Sequence, residues 1–332
     1  MDKIINVILS GGVGSRLWPL SRKSNPKQYL EIFDGKSLFE LTALRNQTIT
    51  NDVLVVGNLD NNSQSIKVLE KIGLSYTNII ETTPRNTAAA IAFAAFSSKP
   101  GDILLVTPSD HIIEGDDVYQ EAVFKAISLA KDNNIVTFGV VPTKPEIGYG
   151  YIEFSNDDVL SFREKPNSVT AKQFISKGNF LWNSGMFCFK ASVLLEELKL
   201  YSPQVYESAK IAYENSIDGL LDRDFSLDIP SISIDYAVME RSKKIKVIPA
   251  AFTWSDLGSF ESVYDYLQSI GHEVDDKGNM VIGTDNYTAF LGLENTIFVH
   301  TKDANLILHK DQSQDVKTLY NQLEEINSEL LN

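Results

Sequence analysis

A chain of 332 residues, 43 % of them apolar, can build one large α/β domain with an appendage or two domains of ordinary size. Charged residues make up 22 % without a long single-sign block, which excludes a disordered chain. A net charge of −14 excludes general binding to a nucleic-acid backbone, so an anionic ligand must be met by a local basic cluster or a metal ion.

The chain opens on MDKIINVILSGG. Its apolar run is too short for a membrane span and lacks the layout of a signal peptide, so a cytoplasmic location and no membrane partner are expected. Residues 4–9 read as a buried strand, 53–56 as a second, 103–106 as a third and 135–141 as a fourth. The alanine-rich stretch 88–96 and residues 118–132 read as helices between them. Strands alternating with helices predict a Rossmann-like, doubly wound α/β sheet that is mainly parallel. Ligands of such sheets sit beyond the carboxyl ends of the strands, where the residues after Leu9 and Val106 fall.

The pattern changes near residue 145. YGYIEF, SFREKP and NSGMFCFK read as shorter strands, 194–200 and 206–213 as helices, and IKVIPAAFTW as a last sheet-like stretch. Residues 259–270 predict a helix, followed by the turn-rich GHEVDDKGN. MVIG, YTAFLGL, TIFVHT and NLILH then predict four short strands of a small β-rich region, closed by an amphipathic helix over 314–331. The expected domains are 1–270 and 275–332. The one cysteine, Cys188, rules out an intrachain disulfide and reads as a small core residue.

The first chemical signal is the loop of residues 11–16 directly after the first strand. Gly11, Gly12 and Gly14 permit positive φ and close backbone approach, so successive peptide N–H groups can cradle phosphates. Arg16 and Lys27 supply local positive charge. No Gly-Lys-Ser/Thr ends the loop, and leucine stands where a dinucleotide fingerprint needs its third glycine, so neither of those motifs applies. Taken alone, the loop establishes phosphate binding or a tight strand exit.

Asp110 and Asp256 follow apolar runs at loop positions. Each alone reads as a helix cap or a solvated turn; together they offer the hard oxygen donors that magnesium prefers. His111 has no metal-ligand spacing around it and reads as an ordinary hydrogen-bonded histidine. Thr83 and Pro84 fit the cap and first position of the 88–96 helix. Trp182, Phe187 and Phe189 read as core. Ser10, Ser15 and Cys188 have no evident activating partner, so no nucleophile-and-base pair is visible.

GGVGSRLWPLSRKSNPKQ resembles the signature of sugar nucleotidylyltransferases, and RLWPLSR with PKQ is similar to their mannose-1-phosphate guanylyltransferase branch. ETTPRNTAAAIA, VTPSDHII, GYGYIE, FREKP, WNSGMF, SIDYAVME and WSDLGS follow in the family's order over nearly the whole chain. The resemblance implies the family's fold with a small β-helix-like tail that packs on the catalytic domain or builds a homodimer. It implies a magnesium-dependent reaction of GTP with α-D-mannose 1-phosphate giving GDP-mannose and pyrophosphate. By resemblance, Arg16, Lys27, Asp110 and Asp256 are catalytic, and the two aspartates hold the metal. Leu9, Gly11, Gly12, Gly14, Ser15, Arg16, Pro84, Arg85, Asn86, Thr87 and Ser109 bind the nucleotide. Gly148, Tyr149, Gly150, Glu164, Lys165 and Asn183 bind the sugar, with Asp235 and Tyr236 nearby; without the resemblance, Glu164 and Lys165 read as a solvated turn.

Ala89 stands where the family commonly has proline, which leaves base contacts in that helical turn open. Longer relatives carry a cupin-like isomerase domain for which 332 residues leave no room, so isomerase activity is not expected. The alternatives are a guanylyltransferase for another sugar 1-phosphate and a non-catalytic nucleotide-sugar sensor.

Overall fold

The computed structural model describes residues 2–31 and 35–332. It has two compact units, each assembled from segments far apart in sequence. The first comprises Met1–Gly11, Thr42–Ser109 and Ile113–Trp254; the second comprises Gly12–Leu41, Asp110–Ile112 and Ser255–Asn332. No helix among the described residues is long and apolar enough to cross a membrane.

The strands run β1 Ile4–Ser10, β2 Asp52–Asn58, β3 Tyr76–Glu81, β4 Ile103–Pro108, β5 Ile112–Glu114, β6 Ile135–Val140 and β7 Tyr151–Ser155. They continue with β8 Asp158–Arg163, β9 Phe180–Lys190, β10 Ile245–Pro249, β11 Thr253–Ser255, β12 Met280–Ile282, β13 Thr296–His300 and β14 Asn305–His309. The α-helices up to residue 227 are α1 Leu38–Asn46, α2 Asn62–Lys71, α3 Asn86–Phe96, α4 Asp116–Lys131, α5 Ser168–Lys177, α6 Ala191–Tyr201, α7 Pro203–Glu214 and α8 Arg223–Leu227.

The first unit is built on a nine-stranded sheet in the order β3-β2-β1-β4-β9-β6-β10-β8-β7. β3, β2, β1 and β4 pair in parallel, as do β6 and β10. The sheet is therefore mixed: β9 runs antiparallel between β4 and β6, and β7 and β8 form an antiparallel edge. The central strands are apolar on both faces because both are covered. Alternation along β4 shows this: Leu104 and Val106 join the cluster containing α3, whereas Ile103 and Leu105 join the one containing α4. Helices on both faces are the doubly wound arrangement expected from the sequence. In α3 every residue from Ala88 to Ala95 is buried; the small side chains let the helix lie close on its neighbours.

In the second unit, β12, β13 and β14 form a three-stranded sheet with α9 Phe260–Ser269 and α10 Val316–Glu325. Its core joins Leu17 and Trp18 from near the start of the chain to Phe260, Met280, Ile297 and Tyr320. α9 begins on a reciprocal capping box between Ser259 and Ser262, each accepting from the other's backbone N–H. Two expectations are corrected here. YTAFLGL forms no strand: without a ladder partner, Tyr287 and Leu291 remain more than 90 % exposed. The closing helix is shorter than 314–331, because Asn327 adopts φ 49° and separates α10 from a last 3-10 turn, Glu329–Leu331.

Candidate active site

The glycine loop leaves β1 and enters the second unit at Gly12, where Gly12 and Gly14 take φ values of 83° and 76°. Three successive carbonyls are then engaged by protein donors. Gln28 Nε2 donates to Gly12 O at 3.4 Å, Lys27 N to Val13 O at 3.1 Å, and Leu17 N to Gly14 O at 2.8 Å. Across a trans peptide the next N–H points the opposite way. The N–H groups of Val13, Gly14 and Ser15 are thereby turned away from those donors, and these three residues line a cavity of about 540 Å³.

The same cavity is lined by Arg16, Lys27, Asp110 and Asp256. Arg16 is exposed. Lys27 is nearly buried, and its ammonium is held 2.8 Å from Asp110 Oδ2 and donates to the backbone oxygen of Asp256. A buried lysine is tolerable only when paired in this way. Gly14 has a direct part in placing it: a Cβ there would lie 2.5 Å from Lys27 Cβ.

Burial works to raise the Asp110 carboxyl, but the charges of Lys27 and His111 outweigh it and hold Asp110 below the ordinary carboxylate value. His111 Nε2 lies 3.7 Å from the other Asp110 oxygen. Asp256 occupies a tight turn in which Gly258 N donates to its Oδ1 at 3.0 Å. Between them, Leu257 is buried at φ 44°, a left-handed conformation that leucine rarely adopts. A Cβ on Gly258 would meet Asp256 Oδ2 at 2.5 Å. Asp110 and Asp256 thus share one cavity with Arg16 and Lys27, although among the described residues no group of three or more acidic, histidine or cysteine side chains is placed to hold a metal ion.

The other sequence-predicted residues belong to the first unit. Ser109 N donates to Leu9 O at 3.0 Å. α3 begins at Asn86, not Pro84, with Arg85 at the cap position and no side-chain cap, so Thr83 does not cap it. Instead the loop is stitched to residues 229–234: Arg85 Nε donates to Ile229 O at 2.6 Å and Ile234 N donates to Thr87 Oγ1 at 2.9 Å. Asn86 takes φ 70° and accepts from Thr87 N through its own side chain at 2.8 Å.

Gly148 N donates to Glu146, while Tyr149 sits edge-on to Trp182 and Trp254. Gly150 O accepts from Asn183 N at 2.8 Å, and a Cβ on Gly150 would meet Glu164 Oε2 at 2.5 Å. Lys165, at φ 45°, pairs with Glu164 at 3.0 Å. Asn183 is fixed from both ends, accepting from Thr137 Oγ1 at 3.2 Å and donating to Asp235 Oδ1 at 3.0 Å. Burial, then the neighbouring Glu164 charge, push the Asp235 carboxyl up to about 6. Glu164, Lys165, Asn183 and Asp235 are one electrostatic network. Trp182, Phe187, Phe189 and Cys188 are buried as expected of core residues, and burial pushes the Cys188 thiol up.

Two features escaped the sequence. Glu81, at the end of β3, is buried and leaves its Oε1 without a partner among the described residues; burial, opposed by the Arg85 N–H, pushes it up to about 7. The 540 Å³ cavity also has a wall from α10, formed by Tyr320, Asn321 and Glu324 with Lys23 beside them. No local pattern signals either feature.

The first unit's doubly wound mixed sheet and the second unit's glycine-loop cavity, lined by Arg16, Lys27, Asp110 and Asp256, are features of a nucleotidyltransferase. Residues 5–273 match the nucleotidyl transferase family and residues 272–323 the MannoseP isomerase/GMP-like beta-helix domain; the chain belongs to the nucleotidyl transferase family. The xanthan biosynthesis protein XanB of Xanthomonas campestris pv. campestris is 38 % identical over 345 residues, covering 97 % of this chain and 74 % of its own. Mannose-1-phosphate guanylyltransferase of Salmonella muenchen is 37 % identical over 353 residues, covering 97 % of this chain and 74 % of its own. A crystal structure described as mannose-1-phosphate geranyltransferase from Thermus thermophilus superposes with a TM-score of 0.83 at 27 % identity, covering 97 % of this chain and 99 % of that one. Nucleotidyltransferases of this family typically use a divalent metal.

Proposed function

We propose that this chain catalyses GTP + α-D-mannose 1-phosphate ⇌ GDP-mannose + pyrophosphate by direct in-line attack of the sugar phosphate on the α-phosphate. The observation that carries the chemistry is one cavity lined by the glycine loop, Arg16, Lys27, Asp110 and Asp256. The choice of base and sugar follows the relative named mannose-1-phosphate guanylyltransferase, which matches 97 % of this chain.

A sugar 1-phosphate, with a second pKa of about 6, is mostly dianionic near neutrality and needs no general base. What the enzyme must supply is alignment of two anions and stabilisation of the departing pyrophosphate. The loop amides and Arg16 bind the phosphate chain. Lys27, already oriented by Asp110 and the Asp256 backbone, presents a fixed charge to the same oxygens. Asp110 and Asp256 fit a magnesium ion: they are two hard oxygen donors on one cavity, the number this ion usually takes from protein when phosphates and water complete its shell. When bound, that ion adds positive charge opposite the reacting phosphates. The depressed Asp110 carboxyl remains ionised throughout the neutral range, as a metal ligand must.

In the first unit, the 84–87 loop with Ser109 contacts the nucleotide. Gly148, Tyr149 and Gly150 with Glu164, Lys165 and Asn183 meet the sugar hydroxyls with mixed donors and acceptors.

The test is pyrophosphate release from GTP in magnesium across a panel of sugar 1-phosphates. Turnover with mannose 1-phosphate is expected. Turnover only with a different sugar phosphate refutes the substrate, and GDP-mannose binding without turnover on any of them points to a sensor. Lys27→Ala and Asp110→Ala should each lower turnover at least ~100-fold; near-normal rates in both would remove them from the mechanism.

A further inference from the structure

The wall of the cavity formed by α10 has no part in the reaction as described above. Lys23 Nζ stands there 2.9 Å from Glu324 Oε1, and both side chains are about half exposed, at 46 % and 54 %. The backbone beneath Lys23 is clasped by the end of the chain. Lys23 N donates to Leu331 O at 2.8 Å, and Trp18 Nε1 donates to Leu330 O at 2.9 Å. Arg22 is almost buried, pairs with Asp303 at 2.7 Å and donates to Pro19 O at 2.9 Å and to Leu330 O. The root of Lys23 is therefore fixed at the cavity wall, while its ammonium pairs with Glu324 at a half-exposed position.

Charge makes the placement informative. The cavity is lined by Arg16, Lys23 and Lys27 against Asp110, Asp256 and Glu324. Lys27 is nearly buried and committed to Asp110. Lys23 is bound instead through a half-exposed pair, the kind that contributes little to stability. A terminal phosphate group of pyrophosphate carries more negative charge than the Glu324 carboxylate and attracts the ammonium more strongly. Exchange of Lys23 from Glu324 to phosphate is thus favourable once an anion fills the cavity, and it leaves the Glu324 carboxylate to water.

We infer that Lys23 is a further phosphate-binding residue, held at rest by Glu324 and handed to the pyrophosphate portion of the nucleotide, so that α10 tunes anion affinity. The inference rests on reading this cavity as the site of the phosphate chain. It does not depend on which base or sugar is used.

Inorganic pyrophosphate, titrated calorimetrically in magnesium into the full chain, tests it directly. Lys23→Gln should weaken binding about tenfold, the loss of one charge-assisted contact. Lys23→Arg should restore most of the affinity. Glu324→Gln should tighten binding about threefold when Lys23 is present, by removing its competitor, and have a smaller effect in the Lys23→Gln background. Melting curves close to the parent protein confirm that each variant is folded. Wild-type affinity in Lys23→Gln overturns the inference, as does failure of the parent protein to bind pyrophosphate. So does equal tightening by Glu324→Gln in both backgrounds, which would be a bulk charge effect. If pyrophosphate binds with this pattern but GTP and mannose 1-phosphate do not react, the proposed reaction fails and the Lys23 contact stands.

Discussion

Replacing Gly14 by alanine separates two roles of one residue. Gly14 has φ 76° and ψ 43°, where an L side chain is strained by roughly 1–2 kcal/mol. The new methyl would also lie 2.5 Å from Lys27 Cβ and 3.3 Å from its Cδ. Non-bonded carbons rest about 3.5–4.0 Å apart, so one partner must move by about 1 Å. Lys27 is poorly able to yield, because its N–H is bonded to Val13 O and its ammonium to Asp110 and Asp256. Displacing a reacting or charge-stabilising group by about 1 Å lowers turnover on the order of 100-fold. Gly73 is the control: it has φ 69°, but a Cβ there would meet nothing within 4 Å. Urea unfolding should show a loss of about 1–2 kcal/mol in Gly73→Ala and at least as much in Gly14→Ala. Pyrophosphate release should fall about 100-fold in Gly14→Ala alone. Turnover of Gly14→Ala within about threefold of the parent would refute the argument that Gly14 is needed to place Lys27.

The elements read correctly in the sequence are those whose environment is uniform along their length. β1, β2 and β4 are buried on both faces, so their apolar runs, interrupted only by the buried Asn6 in β1, are visible. β3 is harder, because YTNIIE carries polar residues at exposed positions and is only partly buried. The antiparallel insertion of β9 is invisible for a different reason: NSGMFCFK signals a buried strand, but strand direction is decided by partners such as Leu104 and Val136, far away in the chain. YTAFLGL has strand-like composition and no partner, so it stays irregular. The glycine loop is legible because positive φ selects glycine, and Gly12 and Gly14 do adopt it. By contrast, the 83-residue span from Lys27 to Asp110 and the pairing of Lys23 with Glu324 arise only in the folded chain. Gly14, Gly150 and Gly258 leave no space for a Cβ against Lys27, Glu164 and Asp256 respectively. In a sequence these glycines report turns; in the fold each also abuts a charged side chain assigned to the site.

Gly258→Ala tests the metal assignment. A Cβ there would crowd Asp256 Oδ2 at 2.5 Å without the penalty of a left-handed φ. The magnesium concentration giving half-maximal rate should rise severalfold while the rate at saturating magnesium changes little; an unchanged magnesium dependence would argue against Asp256 as a ligand. Glu81 makes a prediction about stability. Its carboxyl is raised from an ordinary 4.5 to about 7, chiefly by burial. The folded state therefore holds this proton more tightly than the unfolded chain does. Its stabilising contribution is complete below about pH 4.5 and is lost as pH rises through about 7. The full difference corresponds to about 3 kcal/mol, since each pH unit between the two values is worth about 1.4 kcal/mol. Glu81→Gln keeps a neutral side chain at every pH and removes the dependence. Urea midpoints measured from pH 4.5 to 8 should therefore fall more steeply in the parent than in the variant. Because Asp235 titrates in the same direction in both proteins, the informative quantity is the difference between the two curves. Parallel curves would show that Glu81 ionises in the folded protein as readily as in the unfolded chain, and that its buried oxygen finds a partner when charged.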